Sequence, residues 1–397
     1  MKAEKRKSKK SRALNFAAFA ISFSAFIAVI WIVLPAPSYY VWLFSVLASE
    51  WSLGFSAIAL LGMFCALLAR FKNGGQLWFA AFLIGAAALA ISFYPVFSAY
   101  QAARMLNVAL SWGEYFSGFG TSNSVFNFST RTFAEVDGQK LKVDIYQPPA
   151  GVEKNGAGII VVHGGAWSGG ERNDFPNWNA WLSENGFVVF DIDYRLTQPN
   201  WQTATGDVKC AAGWIRQNAA EFGISPDRIA LLGRSAGAHL ALLAAYSNGN
   251  SQLLPNCQND NQTKIRAVVS FYAPTDLIWD FDHPANQAVI DGPGALDRFL
   301  GGNPHDSEEI KNRYLTASPT SYVSSATPPT LLIQGGHDQL VLPQNMNFLA
   351  AKLKENGVVN QEIFIPYAQH GFDYNFNGWG AQLVKPTILE FLRETTK

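Results

Sequence analysis

The stretch that decides the reading is Leu231-Leu232-Gly233-Arg234-Ser235-Ala236-Gly237. Ahead of it, the apolar run 229–232 reads as a short buried strand. Behind it, residues 236–246 are good helix formers. A strand that turns directly into a helix bends the residue at the turn sharply, and glycines two before and two after leave room for that bend. Ser235 then stands at a sheet edge, with the Ala236 amide at a helix N-terminus beside it. A negative charge developing on a substrate oxygen is stabilised in such a place. The pentapeptide alone also fits an ordinary turn before a core helix, so its neighbours have to decide.

Working outward, the apolar strand 158–162 is followed by His163-Gly164-Gly165-Ala166-Trp167. Consecutive glycines let backbone amides converge on one point with no side chain in the way, as an oxyanion site requires. Strand 330–334 leads into Gly335-Gly336-His337-Asp338-Gln339, and strand 362–365 into Gln369-His370-Gly371-Phe372. A serine, a carboxylate and an imidazole thus arise at successive strand ends. A serine hydroxyl is a poor nucleophile at neutral pH. It needs His370 to take its proton, and His370 needs Asp338 to fix its tautomer. The rivals are weaker. His239 lies one turn beyond Ser235 on the same helix and reads as buried structure, while His163 reads as a brace for its loop. His337 faces away from Asp338, His283 and His305 fall in a loose connection, and Asp373 is too near His370 in sequence to serve it.

The remaining pattern is a hairpin, 132–136 with 141–146 about Asp137-Gly138, then strands 187–192 and 267–271. Helices are expected at 178–185, 204–222, 344–356 and 381–393. Alternating strands and helices imply an α/β domain over 131–397, a mostly parallel sheet covered on both faces, with the site outside the strands' carboxyl ends. Residues 272–329 are only loosely periodic and contain Asp280, Asp282, Asp291 and Asp297. We read them as a partial lid.

The N-terminal third is different in kind. Residues 1–12 form a basic head, and no charged side chain occurs from 13 to 49. Runs 13–34, 51–69 and 77–98 each approach the ~20 apolar residues that cross a bilayer, so 13–100 reads as a membrane region of about three helices. A secretory signal would explain the first run but not the others. Residues 39–49 either extend the second span or lie at the interface. Arg70 and Lys72, beside Asn73-Gly74-Gly75, agree with the basic head in placing those ends in the cytoplasm. Three spans then put the catalytic domain outside it. Residues 101–130 read as a tether, with Trp112, Tyr115 and Phe116 at the membrane surface.

Formal net charge is zero, which gives no sign of a nucleic-acid partner. No Cys/His spacing suggests a metal site. Cys210 and Cys257 either pair in an oxidising compartment or remain thiols, and Cys65 reads as a small core residue. Asn127-Phe128-Ser129 and Asn261-Gln262-Thr263 would be glycosylated only in a eukaryotic secretory pathway.

Residues 131–397 resemble the α/β-hydrolase superfamily, in the esterase/lipase branch with an HGG-type oxyanion loop. The likeness rests on His163-Gly164-Gly165-Ala166-Trp167, Asp193-Tyr194-Arg195-Leu196, Gly233-Arg234-Ser235-Ala236-Gly237-Ala238-His239, Asp338 and His370-Gly371-Phe372. The chain order Ser235, Asp338, His370 is that of the branch's triad. The resemblance implies Ser235 as nucleophile, His370 as base, Asp338 as acid, oxyanion amides from Gly164, Gly165 and Ala236, and no cofactor. Tyr194 and Arg195 match a segment that is usually structural, and Ala166 stands where many members carry a third glycine. The loop and elbow look most like carboxylesterases, feruloyl-esterase-like enzymes and prenylcysteine methylesterases, and also like kynurenine formamidases. The expected protein is a multi-pass membrane serine esterase acting on a small-molecule or lipid acyl ester. A formamidase with the same triad and a non-catalytic hydrolase-fold membrane protein are the alternatives.

Overall fold

A computed structural model describes residues 2–72, 76–118, 126–255, 257 and 264–397, with side chains from residue 11 onward. The basic side chains up to Lys10, the turn Asn73-Gly74-Gly75, residues 119–125 and the Asn261 sequon lie outside this set.

Eight strands form one sheet: β1 (Ser129–Val136), β2 (Gln139–Tyr146), β3 (Gly158–Val162), β4 (Val188–Ile192), β5 (Ile229–Arg234), β6 (Ala267–Phe271), β7 (Thr330–Gly335) and β8 (Asn360–Ile365). Their spatial order is β1-β2-β4-β3-β5-β6-β7-β8. The β1–β2 and β2–β4 pairs are antiparallel and the other five are parallel. The registers Val162↔Gly233, Arg234↔Phe271, Phe271↔Ile333 and Gly335↔Ile365 align the carboxyl ends. The loops after β3, β5, β7 and β8 therefore open on one edge.

The central strands are buried on both faces, so their side chains alternate between two apolar layers. Ile160, Val162 and Leu231 join the core under helices Trp201–Gln217 and Ala236–Tyr246. Ile159, Val161, Leu232 and Ile333 join the opposite core with Trp178, Trp379 and Leu383. The stretch 272–329 contains three short helices, Leu277–Asp282, Gly292–Leu300 and Glu308–Ala317. Asp276, Asp291 and Ser307 cap these helices through their side chains. Cys210 and Cys257 are joined in a disulfide.

Three helices, Ser11–Ile32, Ser52–Phe71 and Leu77–Leu106, are long and apolar enough to cross a membrane. Small residues meet between them: Ala18, Ala66 and Ala81 form one layer, and Ala25, Ala59 and Ala88 belong to another. A Cβ on Gly62 would overlap Ser22. Close approach through small residues is how helices associate where water supplies no hydrophobic drive. Phe16, Phe23, Leu61 and Phe64 point outward. Residues 39–49, left open by the sequence, lie within a separate 12-residue helix, Tyr39–Glu50, too short to span.

The expected tether is instead largely docked structure. The third apolar helix has 30 residues, about ten more than a crossing needs, and its end carries Ala99, Ala102 and Ala103 into the second core of the α/β domain. A short helix, Trp112–Ser117, follows. Tyr115 is buried and stacks on Trp379 at 4.3 Å, whereas Trp112 and Phe116 are exposed. The Ser111 amide donates to Gln382 Oε1 (2.8 Å), and Lys385 pairs with Glu114 (2.5 Å). The reason is aromatic packing. Tyr115 and Trp112 both pack on Trp379 of the C-terminal helix (4.3 and 5.1 Å between ring centres).

Glu50 ends its helix inside this junction, 1% exposed, with no hydrogen-bond partner for either oxygen among the described residues. A Cβ on Gly378 would overlap Oε2. Burial, reinforced by the charge of Asp373, raises the Glu50 pKa well above its ordinary 4.5. The folded state therefore binds this proton more tightly than the unfolded chain does. Its contribution to stability is complete at low pH and is lost as pH climbs from about 4.5 through the raised pKa. Glu50→Gln, neutral at every pH, is expected to stabilise the full chain in detergent at pH 8. The gain should shrink at pH 5. Thermal melts at the two pH values measure this.

Candidate active site

Ser235 caps the helix Ala236–Tyr246 with φ 54° and ψ −124°, a left-handed backbone that a side chain rarely adopts. Its N–H donates to Phe271 O (2.9 Å), and its carbonyl accepts from His239 N (3.0 Å). Gly237 makes the bend possible, because a Cβ there would overlap the carbonyl oxygens of Val162 and His163. The same close fit brings the loop after β3 against the elbow. Gly164 lies so near that its Cβ would stand 3.4 Å from that of Ser235. The Gly164 and Gly165 amides have no protein acceptor among the described residues. With Ala236 they border one cavity of about 420 Å³ that also holds Ser235 and His370.

Asp338 and His370 meet from the ends of β7 and β8. Nδ1 of His370 lies 2.8 Å from Oδ2 of Asp338. A carboxylate only accepts, so Nδ1 carries the proton and Nε2 is left with its lone pair. The Leu340 and Val341 amides donate to the other carboxylate oxygen (2.9 and 3.0 Å), and Gln334 Nε2 donates to Oδ2 (3.0 Å). Gln334 escaped the sequence reading because its only signal was a polar residue late in an apolar strand.

Two of the other five histidines, His163 and His239, are accounted for by their partners. His163 donates from Nδ1 to Gly164 O (2.8 Å) and stacks on Tyr194 at 4.2 Å, and burial lowers its pKa. His239 is fully buried. Its Nε2 donates to Ala317 O (2.8 Å), so Nδ1 accepts from Trp167 Nε1 (3.1 Å). Burial pushes its pKa down to about 4 and keeps it neutral. Both residues brace the loop after β3. Ala166 and Trp167 in that loop have φ 48° and 57°, so the alanine occupies a position that glycine would take without strain. Arg195 holds Asp207 with both buried (Nη2–Oδ1 2.7 Å).

A buried trio behind the elbow was missed. Arg234 Nε pairs with Asp373 Oδ2 (2.6 Å), and Tyr272 OH donates to Asp373 Oδ1 (2.6 Å). The guanidinium lies over the Phe175 ring at 4.0 Å, and the Tyr272 ring is 4.3 Å from that of His370. Proximity to His370 had removed Asp373 as a triad acid, and here it serves as a support. Asp280 was read only as part of a lid. It lines the cavity, accepts from Asn345 Nδ2 (2.6 Å), and has no partner for Oδ2 among the described residues. No group of three or more metal-ligating side chains occurs among the described residues.

A probable carboxylic ester hydrolase, LipM, of Mycobacterium tuberculosis is 30% identical over 245 residues, 59% of this chain and 54% of its own length. The isoprenylcysteine alpha-carbonyl methylesterase ICME of Arabidopsis thaliana is 24% identical over 221 residues, 52% of this chain and 48% of its own. The chain thus spans about half the length of these curated relatives. A truncated carbohydrate esterase from gut microbiota superposes with a TM-score of 0.56 at 23% identity, over 70% of this chain and all but 1% of that one (99%). Butyrate-bound esterase 2 of Thermogutta terrifontis gives 0.53 at 24% identity, over 67% and 94% of the two chains. Both likenesses speak to the fold, which is that of the α/β-hydrolases. The family model BD-FAE matches residues 143–353, more than half of the chain. The chain belongs to the BD-FAE family, within the esterase/lipase branch of the α/β-hydrolases.

Proposed function

We propose that this protein is a membrane-anchored serine esterase, with its basic head in the cytoplasm and its catalytic domain on the far side. The observation that carries the proposal is Ser235, held at positive φ in a cavity shared with a His370 whose Nδ1 is engaged by Asp338. In this reading Ser235 Oγ attacks the ester carbonyl carbon as His370 Nε2 takes its proton. The tetrahedral oxyanion accepts from the Gly164, Gly165 and Ala236 amides. The carbon–oxygen bond to the alcohol breaks, and the imidazolium protonates the departing alkoxide. Water, deprotonated by the same imidazole, then attacks the acyl-enzyme and releases the acid and the free serine. Esterase relatives such as LipM and ICME support the reaction class. The three apolar helices and the positive charge at residues 2–12 support the topology.

Purified full-length protein should label with a fluorophosphonate and hydrolyse p-nitrophenyl esters. Ser235→Ala should abolish labelling and lower kcat by several powers of ten, roughly 10⁶ by analogy with the subtilisin nucleophile. A folded protein that labels at Ser235 but hydrolyses no ester, and cleaves aryl formamides, would be an amidase instead.

Burial pushes the Asp280 carboxyl up to about 7. Below that pH the cavity wall is neutral at Asp280, and above it a charge is added among the apolar side chains Trp42, Leu296 and Leu340. KM for a neutral ester should therefore rise between pH 6 and 8. Asp280→Asn should flatten that rise, as initial rates across the range would reveal.

A further inference from the structure

One wall of the catalytic cavity does not come from the α/β domain. Tyr39 and Trp42, from the short helix between the first two apolar helices, line it together with Ser235 and His370. One turn of this helix has two working sides, as i, i+3 and i, i+4 spacing allows. Tyr39 and Trp42 face the catalytic cavity, while Tyr40, Val41 and Phe44 border a groove with Phe23, Ile27 and Trp31 of the first apolar helix. The Tyr39 ring touches both Tyr40 (5.8 Å) and Trp42 (5.5 Å), so one aromatic cluster borders both spaces. Tyr40 is 81% exposed, on the surface that bilayer lipid would meet.

The wall is fastened beside the chemistry. The Ala36 amide donates to Gln339 Oε1 (2.7 Å), Asn286 Nδ2 donates to both Ala36 O (2.6 Å) and Gln339 Oε1 (2.9 Å), and Gln339 Nε2 donates to Gln369 Oε1 (3.1 Å). Gln339 adjoins Asp338, and Gln369 adjoins His370. Trp42 is 7% exposed and packs with Val289 and Leu340, yet its indole N–H has no partner among the described residues. A buried, unpaired donor in an apolar wall costs free energy unless a ligand oxygen satisfies it.

We propose that the substrate is an ester carried by a bilayer-resident lipid, entering from the groove past Tyr39 and Trp42, with Trp42 setting specificity through its indole N–H and ring. This rests on the esterase reading above and adds what the ester is attached to. The apolar part of the lipid stays along Tyr40 and Phe44 while its acyl carbon reaches Ser235.

The test uses the full chain in phospholipid nanodiscs. It compares kcat/KM for a water-soluble p-nitrophenyl butyrate with that for a long-chain p-nitrophenyl palmitate incorporated in the same discs. Wild type should favour the palmitate at least tenfold. Trp42→Ala should cut that ratio about tenfold, with Trp42→Phe, which keeps the ring and loses the donor, falling between. A wild type that favours the butyrate, or a ratio unmoved in a folded Trp42→Ala, overturns the lipid proposal and leaves a serine esterase. Hydrolysis of neither ester removes the esterase reading and this inference with it. The wild-type ratio requires no substitution, so it decides the proposal even where a variant fails to fold.

Discussion

Everything at the catalytic edge is arranged around one bent residue. Ser235 can hold φ 54° only because its neighbours over-determine it. The end of β6 takes its N–H, the following helix takes its carbonyl, and Gly237 is seated against the carbonyls at the end of β3. The nucleophile elbow and the glycine loop are therefore a single packed unit. Behind them, Arg234 at 2% exposure and Asp373 at 0% form an ion pair that would be costly to break. Because Tyr272 donates to the same carboxylate and lies against His370, the loops after β5, β6 and β8 share one support. Shared supports of this kind hold the Gly164 and Gly165 amides and the His370 ring in fixed positions.

Strain of the same sort recurs in the loop after β3. Two successive non-glycine residues, Ala166 and Trp167, sit at positive φ. Trp167 is held on three sides, by His239, by the Phe299 ring at 4.4 Å and by Asn200 Nδ2 at its carbonyl (2.9 Å). Phe299 belongs to 272–329, so that segment underpins the glycine loop as well as covering the cavity. A neutral His239 suits this task, since it must accept from one neighbour and donate to the other.

Much of this was legible in the sequence, for identifiable reasons. Gly233 and Gly237 mark the elbow because a side chain at Gly237 would collide with the chain, and solid apolar runs mark strands buried on both faces. Other features left no periodic trace. The helices of 272–329 are 6, 9 and 10 residues long, too short for an apolar stripe to stand out. Docking of 101–118 depends on Trp379 and Gln382, more than 260 residues later, as the Ser111–Gln382 bond at a separation of 271 illustrates. Asp280, Gln334 and Glu50 became meaningful only once burial was known, since an isolated polar residue in an apolar context reads the same whether it faces water or a cavity.

The third apolar helix runs from Leu77 to Leu106 with Pro95 inside it, and its last turns belong to the core of the α/β domain. No loop separates its apolar turns from its docked ones, and Pro95, which removes one backbone hydrogen bond, is the place where this helix can bend. A bilayer thinner or thicker than its apolar length is ordinarily accommodated by helix tilt. On the proposed topology, tilt that Pro95 does not absorb is passed to the α/β domain docked on the end of this helix. Bilayer thickness becomes, on that topology, a mechanical input to the α/β domain, set by lipid composition rather than by any ligand.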